Sequence, residues 1–140
     1  MRALTDPQVE HAIAAYFAAI TARDRQRWLD LFCDDAVVHE PVGALPLEGK
    51  ASLDEAWKIF SAPFEQLSIE ASEIFTAGSG AAVKWIGEAT GRGLAKRVTF
   101  SGISVFEIDD TGKIQAVMSY WDPAETLIRL AGNSEDDLDA

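Results

Sequence analysis

Glu40 ends a β-branched run, Val37-Val38-His39-Glu40, and leads directly into Pro41-Val42-Gly43. A carboxylate delivered by an apolar strand, about 25 residues after a tyrosine on an amphipathic helix, pairs a base with a hydrogen-bond donor, the equipment for moving a proton on carbon. Tyr16 is that tyrosine. A Glu base must be raised from its solution pKa of about 4.3 towards the working pH, and burial among Val38, Val42 and apolar strands would do so. The same enclosure would strengthen a Tyr16 hydrogen bond to a developing enolate. Taken alone, these residues also fit a plainer arrangement, with Glu40 at the wet end of a strand and Tyr16 a core aromatic whose hydroxyl reaches the rim.

Strand alternation supplies walls for such a site. Val83, Trp85 and Gly87 share one face, and Val117, Ser119 and Trp121 share another, so Trp85 and Trp121 offer flat apolar surfaces to a ring-shaped ligand. Phe100 and Phe64 are weaker candidates, and Trp28 and Trp57 rank below Trp85 and Trp121; core filling or an oligomer interface is the alternative for all four Trp. His39 falls on the strand face opposite Glu40, and His11 sits near a helix start. Two His and one Cys, far apart, give no metal-ligand spacing. Gly91-Arg92-Gly93 reads as a hairpin turn, without the strand-to-helix context of a phosphate loop. No Ser, His and acid are placed for nucleophilic catalysis. The chemistry expected is free of metal and cofactor.

The elements that must position these groups divide into a helical front and a strand-rich back. Asp6-Pro7 starts a first helix, to about Ala22, with Val9, Ile13, Tyr16, Phe17 and Ile20 on one stripe. Asp24 caps a second, in which Trp28, Leu31 and Phe32 share a face until Asp34-Asp35 ends it before a strand from Ala36 to Glu40. Pro41, Gly43 and Pro46 enforce a loop, and Ser52 with Glu55 forms a capping box for a third helix whose apolar face is Leu53, Ala56, Trp57 and Phe60. Beyond Pro63, breaks at 78–80, 91–93 and 109–112 separate four strands, about 66–76, 81–90, 96–108 and 113–121, an antiparallel meander. Asp122-Pro123, with Glu125, starts a short last helix to about Leu130. From Gly132 the acidic Glu135, Asp136, Asp137 and Asp139 have little to pack against, which implies a solvated tail on a single domain of residues 1–131.

A chain of 140 residues can build one real core without staples. A formal charge of −11 argues against nucleic acid and anionic membrane surfaces as partners. The single Cys33 forms no intrachain disulfide, the apolar stretch from Ala12 to Ile20 lacks a signal peptide's flanks, and no run is long enough to span a bilayer. These features imply a cytoplasmic protein.

Helices first and a sheet afterwards imply an α+β fold, a curved antiparallel sheet wrapped around three helices into a cone with one open mouth. The Tyr16 helix, the segment from Asp24 to Ala36, His39-Glu40-Pro41-Val42-Gly43 and the strand ending Met118-Ser119-Tyr120-Trp121-Asp122-Pro123 together resemble the nuclear transport factor 2-like superfamily, and within it bacterial ketosteroid isomerases. The resemblance runs from about residue 8 to residue 130. It implies that Tyr16 donates to a substrate carbonyl and that Glu40 holds the place of the general base, usually an Asp before Pro-Val-Gly. The family's third group is a protonated Asp donor; the matching place falls near Ser104, whose hydroxyl donates one hydrogen bond where the acid is usual. The implied activity is isomerisation or elimination on an apolar cyclic carbonyl compound, with steroid-like enones the leading class and homodimerisation through the outer sheet face. Two alternatives stand beside it: a non-catalytic binder of small apolar ligands, and a polyketide cyclase or dehydratase using Asp122, a residue that the Asp122-Pro123-Ala124-Glu125 pattern assigns in preference to a helix cap.

Overall fold

The computed structural model describes residues 6–93 and 96–132, with the side chain of Asp6 left aside. The cap expected from Asp6 and the acidic stretch from Asn133 onward thus lie outside the described residues. In chain order the elements are α1 (Asp6–Thr21), α2 (Arg25–Leu29), β1 (Phe32–His39), β2 (Leu47–Glu48), α3 (Gly49–Ser61), β3 (Phe64–Ala77), β4 (Gly80–Gly91), β5 (Arg97–Ile108), β6 (Ile114–Tyr120) and α4 (Pro123–Leu130).

Among the described residues, the six strands form one curved, unclosed sheet in the order β2-β1-β6-β5-β4-β3. The long hairpins behave as the turn signals require: β3 to β6 are consecutive antiparallel neighbours. Irregularities at Ala71/Glu73 in β3 and Glu107/Ile108 in β5 add local bend. One pairing departs from the expected all-antiparallel sheet. β1 lies parallel to β6, with Val38 opposite Val117 and His39 opposite Met118, so the sheet is mixed. The strands are joined through α3 and the meander, a connection long enough to bring β1 back in the same direction.

Two helical boundaries also differ. Asp24 does cap α2, its carboxylate accepting from Arg27 N at 3.1 Å. The helix nevertheless stops at Leu29, and Phe32 opens β1 opposite Ile114 because the chain leaves the helix to join β6, the Leu31 carbonyl accepting from Ile114 N at 2.8 Å. Asp34 and Asp35 are therefore exposed strand residues, not a helix end. At α3 the Ser52–Glu55 box is not used: the two-residue β2, absent from the sequence reading, pairs with Val37 and Val38 and hands over to the helix at Gly49, whose φ of 82° suits glycine.

The core fills the concave face of the sheet. Val9, Ile13, Tyr16 and Phe17 of α1 are buried against Phe106, Val83 and Trp85, as the 3.6-residue stripe demands. A smaller cluster of Phe64, Ala89, Val98 and Leu130 docks α4. Among the described residues no helix is long and apolar enough to cross a membrane.

Candidate active site

The sheet and helices enclose an apolar cavity of about 120 Å³. Of the residues singled out from sequence, Tyr16, Val38, Glu40, Trp85, Phe100, Ser104 and Trp121 line it, as does Phe64. Ser119 is buried beneath the wall and reaches the site by bonding to Glu40. Val117 is a correction: it lies one pleat further along β6, fully buried between Val38 and Phe106, and belongs to the core instead of the wall. Trp28 and Trp57, ranked low from sequence, both line the cavity, together with Arg23 and Phe60, which are partly exposed where it opens.

Glu40 is placed by β1 and by the turn after it, where Val42 N donates to the Ser119 carbonyl at 2.8 Å. Its carboxylate is enclosed and doubly held. Trp121 Nε1 donates to Oε1 at 2.5 Å, and Ser119 Oγ donates to Oε2 at 2.8 Å. Burial pushes its pKa up to about 7, against the opposing pull of these two donors, which favour the charged form. Such a group is half ionised at neutral pH, the range in which a carboxylate serves as a base towards carbon.

Tyr16 faces Glu40 from α1 inside an aromatic nest, its ring 5.0 Å from Phe106 and 5.1 Å from Phe17, both edge-to-face. Burial, and then the negative charge of Glu40, hold its pKa well above the usual phenol value, so the hydroxyl keeps its proton and remains a donor. Its hydroxyl makes no hydrogen bond of normal geometry among the described residues. The nearby Trp28 N–H, buried and likewise without an acceptor of normal geometry, pulls the Tyr16 pKa the other way.

Ser104 stands opposite Ser119 in the β5–β6 register. Their hydroxyls are 2.7 Å apart, and Trp85 Nε1 donates to Ser104 Oγ at 2.9 Å. Trp85 reaches that serine because it lies flat across Gly102, where a Cβ would sit 2.5 Å from the Trp85 ring, 2.7 Å from the Tyr120 carbonyl and 2.9 Å from Trp121 Cβ. Gly87 does the same for Phe100, whose ring would meet an added Cβ at 2.6 Å. The rings of Trp85 and Trp121 are 6.0 Å apart and those of Phe100 and Trp121 5.8 Å, a continuous aromatic wall beside Glu40.

Asp122 is the N-cap of α4, its carboxylate accepting from Glu125 N at 2.9 Å, and it is exposed outside the cavity. His39 sits on the other side of β1, in register with Met118 on the outer face. Among the described residues no three His, Cys, Asp or Glu side chains gather in a metal-binding group.

The model of the SnoaL-like domain matches residues 13–117. The chain belongs to the SnoaL-like family. As a SnoaL-like domain it falls in the nuclear transport factor 2-like superfamily, in agreement with the sequence resemblance and the cone-shaped fold. Its backbone is similar to that of RV0760c from Mycobacterium tuberculosis, at 20% identity over 86% of this chain and 95% of the other, with a TM-score of 0.73. It is also similar to SalBIII, an epoxide hydrolase/cyclase-like enzyme of pyran ring formation in the polyether salinomycin, at 24% identity over 86% and 95%, with a TM-score of 0.75. A computationally designed 17-OHP binder shares the fold at 20% identity over 83% and 94%, with a TM-score of 0.71. No functionally curated protein matches the sequence. The fold is thus shared by proteins put to different uses, and the site must carry the functional argument.

Proposed function

We propose that this SnoaL-like protein moves a proton on the carbon next to a carbonyl of an apolar, cyclic ligand, without a cofactor. Glu40 takes the proton, the electron pair moves onto the carbonyl oxygen as an enolate held by the Tyr16 hydroxyl, and Glu40 returns the proton at a second carbon. The observation that carries this reading is the pairing of one carboxylate, raised to about 7, with one protonated phenol in a largely apolar cavity. Tyr16 stabilises charge that exists only after proton removal, which is where binding accelerates a reaction. Trp85, Phe100 and Trp121 suit a flat ring system, so steroid-like enones are the leading substrate class. The homodimer is proposed on the outer sheet face, where Ile86, Ile103, Met118 and Tyr120 are exposed.

A 5-ene-3-ketosteroid assay tests the reading, following the conjugated enone in the ultraviolet with the wild type, Tyr16→Phe and Glu40→Gln. Turnover that collapses in Glu40→Gln supports it. An unchanged rate removes Glu40 as base, and no wild-type turnover above buffer sinks the steroid version. Ligand binding without turnover would favour the second reading, a non-catalytic binder in the same cavity, for which the designed binder of the same fold is a precedent. A cyclase or dehydratase using Asp122 has less support, since that carboxylate caps α4 outside the cavity.

A further inference from the structure

The hydrogen-bond donors around Glu40 can be counted. Both indole N–H groups only donate, so Trp121 fixes Oε1 as an acceptor and Trp85 fixes Ser104 Oγ as one. With Glu40 ionised, the single Ser119 proton goes to Oε2. The contact of 2.7 Å between the serines must then be donated by Ser104. The chain runs Trp85 to Ser104 to Ser119 to Glu40, and Ser104 has no proton left for a ligand, although it lines the cavity. If Oε2 instead carries a proton and donates it to Ser119, both serine protons must turn over to keep the same contacts, and the Ser104 O–H is released.

We propose that Ser104 and Ser119 form a two-state hydroxyl relay that presents a hydrogen-bond donor to an uncharged carbonyl oxygen in the cavity only when Glu40 is protonated. No heavy atom moves between the two states. The relay rests on Glu40 being the cavity's proton acceptor, as in the proposed function, and it makes the site select neutral ketone-type oxygens as its acidity rises. The other ionisable groups on the cavity wall are Tyr16 of α1 and Arg23 just beyond it. Of the elements packed on β1, α3 carries Lys50, Asp54, Glu55 and Lys58, and β2 carries Glu48; β1 itself carries Cys33, Asp34, Asp35 and His39, and β6 adds Tyr120, with Asp122 after it. None of these lines the cavity.

The test is binding, independent of turnover. The probe is 6-propionyl-2-(dimethylamino)naphthalene, a neutral ketone whose emission moves to the red when its carbonyl accepts hydrogen bonds. For the wild type, affinity should rise about two- to tenfold between pH 9 and pH 5, the worth of one net hydrogen bond, with a red shift. Glu40→Gln should show the low-pH affinity and emission at every pH, because Trp121 holds the amide oxygen and turns the amide N–H towards Ser119. Adding Ser104→Ala to Glu40→Gln should abolish this, while Ser104→Thr, which keeps the hydroxyl, should restore it. Wild-type pH dependence surviving in Ser104→Ala would overturn the relay, because Glu40 would then contact the ketone by itself. So would Glu40→Gln behaving like the wild type at pH 9, or failing to bind the probe. Loss of steroid turnover alone would leave these readings unchanged, so the two proposals fail separately.

Discussion

The two polar ends of the cavity are built in opposite ways. Glu40 is held at both oxygens, by Trp121 and Ser119, and backed by a second layer of Ser104 and Trp85. Tyr16 is surrounded by aromatic rings and its hydroxyl meets no partner of normal geometry among the described residues. The difference separates aiming from waiting. A base must point at one C–H and keep its pKa, which hydrogen bonds can fix in advance. An oxyanion donor does most when its proton is free until negative charge arrives, so a dry aromatic nest with no competing acceptor is the better support.

The largest effect should come from Glu40→Gln, which leaves that end bonded but unable to take a proton. Turnover should fall by about 10²–10⁴, measured as kcat on the 5-ene-3-ketosteroid. Tyr16→Phe should cost about 10²–10³ in kcat with a small change in KM, because the phenol acts on charge that develops late. A raised KM with kcat unchanged would instead make Tyr16 a ground-state contact. Trp121→Phe removes a donor from the charged carboxylate, so the pKa governing the rate should rise from about 7; the pH–rate profile should move to higher pH, with a severalfold loss at pH 7.

The smallest effect is on stability, and its sign is set by burial. Because the folded pKa of Glu40 lies above its ordinary value of 4.5, the unfolded chain ionises first, and stability declines as pH rises from about 4.5 to about 7. Glu40→Gln removes that loss. Thermal or urea unfolding should show the variant stabilised by roughly 3 kcal/mol at pH 8 and little changed at pH 4. A variant destabilised at pH 8 would mean that the carboxylate's two hydrogen bonds outweigh its desolvation.

Much of this arrangement was readable in the residues. The stripe through Val9, Ile13, Tyr16 and Phe17, the glycine- and aspartate-rich turns between the long strands, and the Asp122 cap are local signals, and the structure follows each. Tyr16 and Glu40 also face one cavity. What escaped depended on partners distant in sequence. Phe32 has a helical spacing to Trp28, yet Ile114 recruits it into a strand; β2 exists only because Val37 and Val38 offer an edge. Trp28 and Trp57 read as ordinary core residues, since no periodicity reveals that the sheet curves away and leaves room beside them. The relay was hidden for the same reason: Ser104 and Ser119 meet through strand register, and Trp85 reaches Ser104 diagonally over a glycine.

That glycine, Gly102, sets how closely the Trp85 ring can approach the sheet. With no side chain of its own in the cavity wall, it lets the Trp85 ring settle close to the backbone and leaves Trp121 Cβ undisturbed beside it. One methyl group there would lift an indole into the void and pull its N–H off Ser104, narrowing the slot and cutting the relay together. The width of the cavity and the Trp85–Ser104 hydrogen bond are thereby tied to a single hydrogen atom, so neither can be adjusted freely without the other.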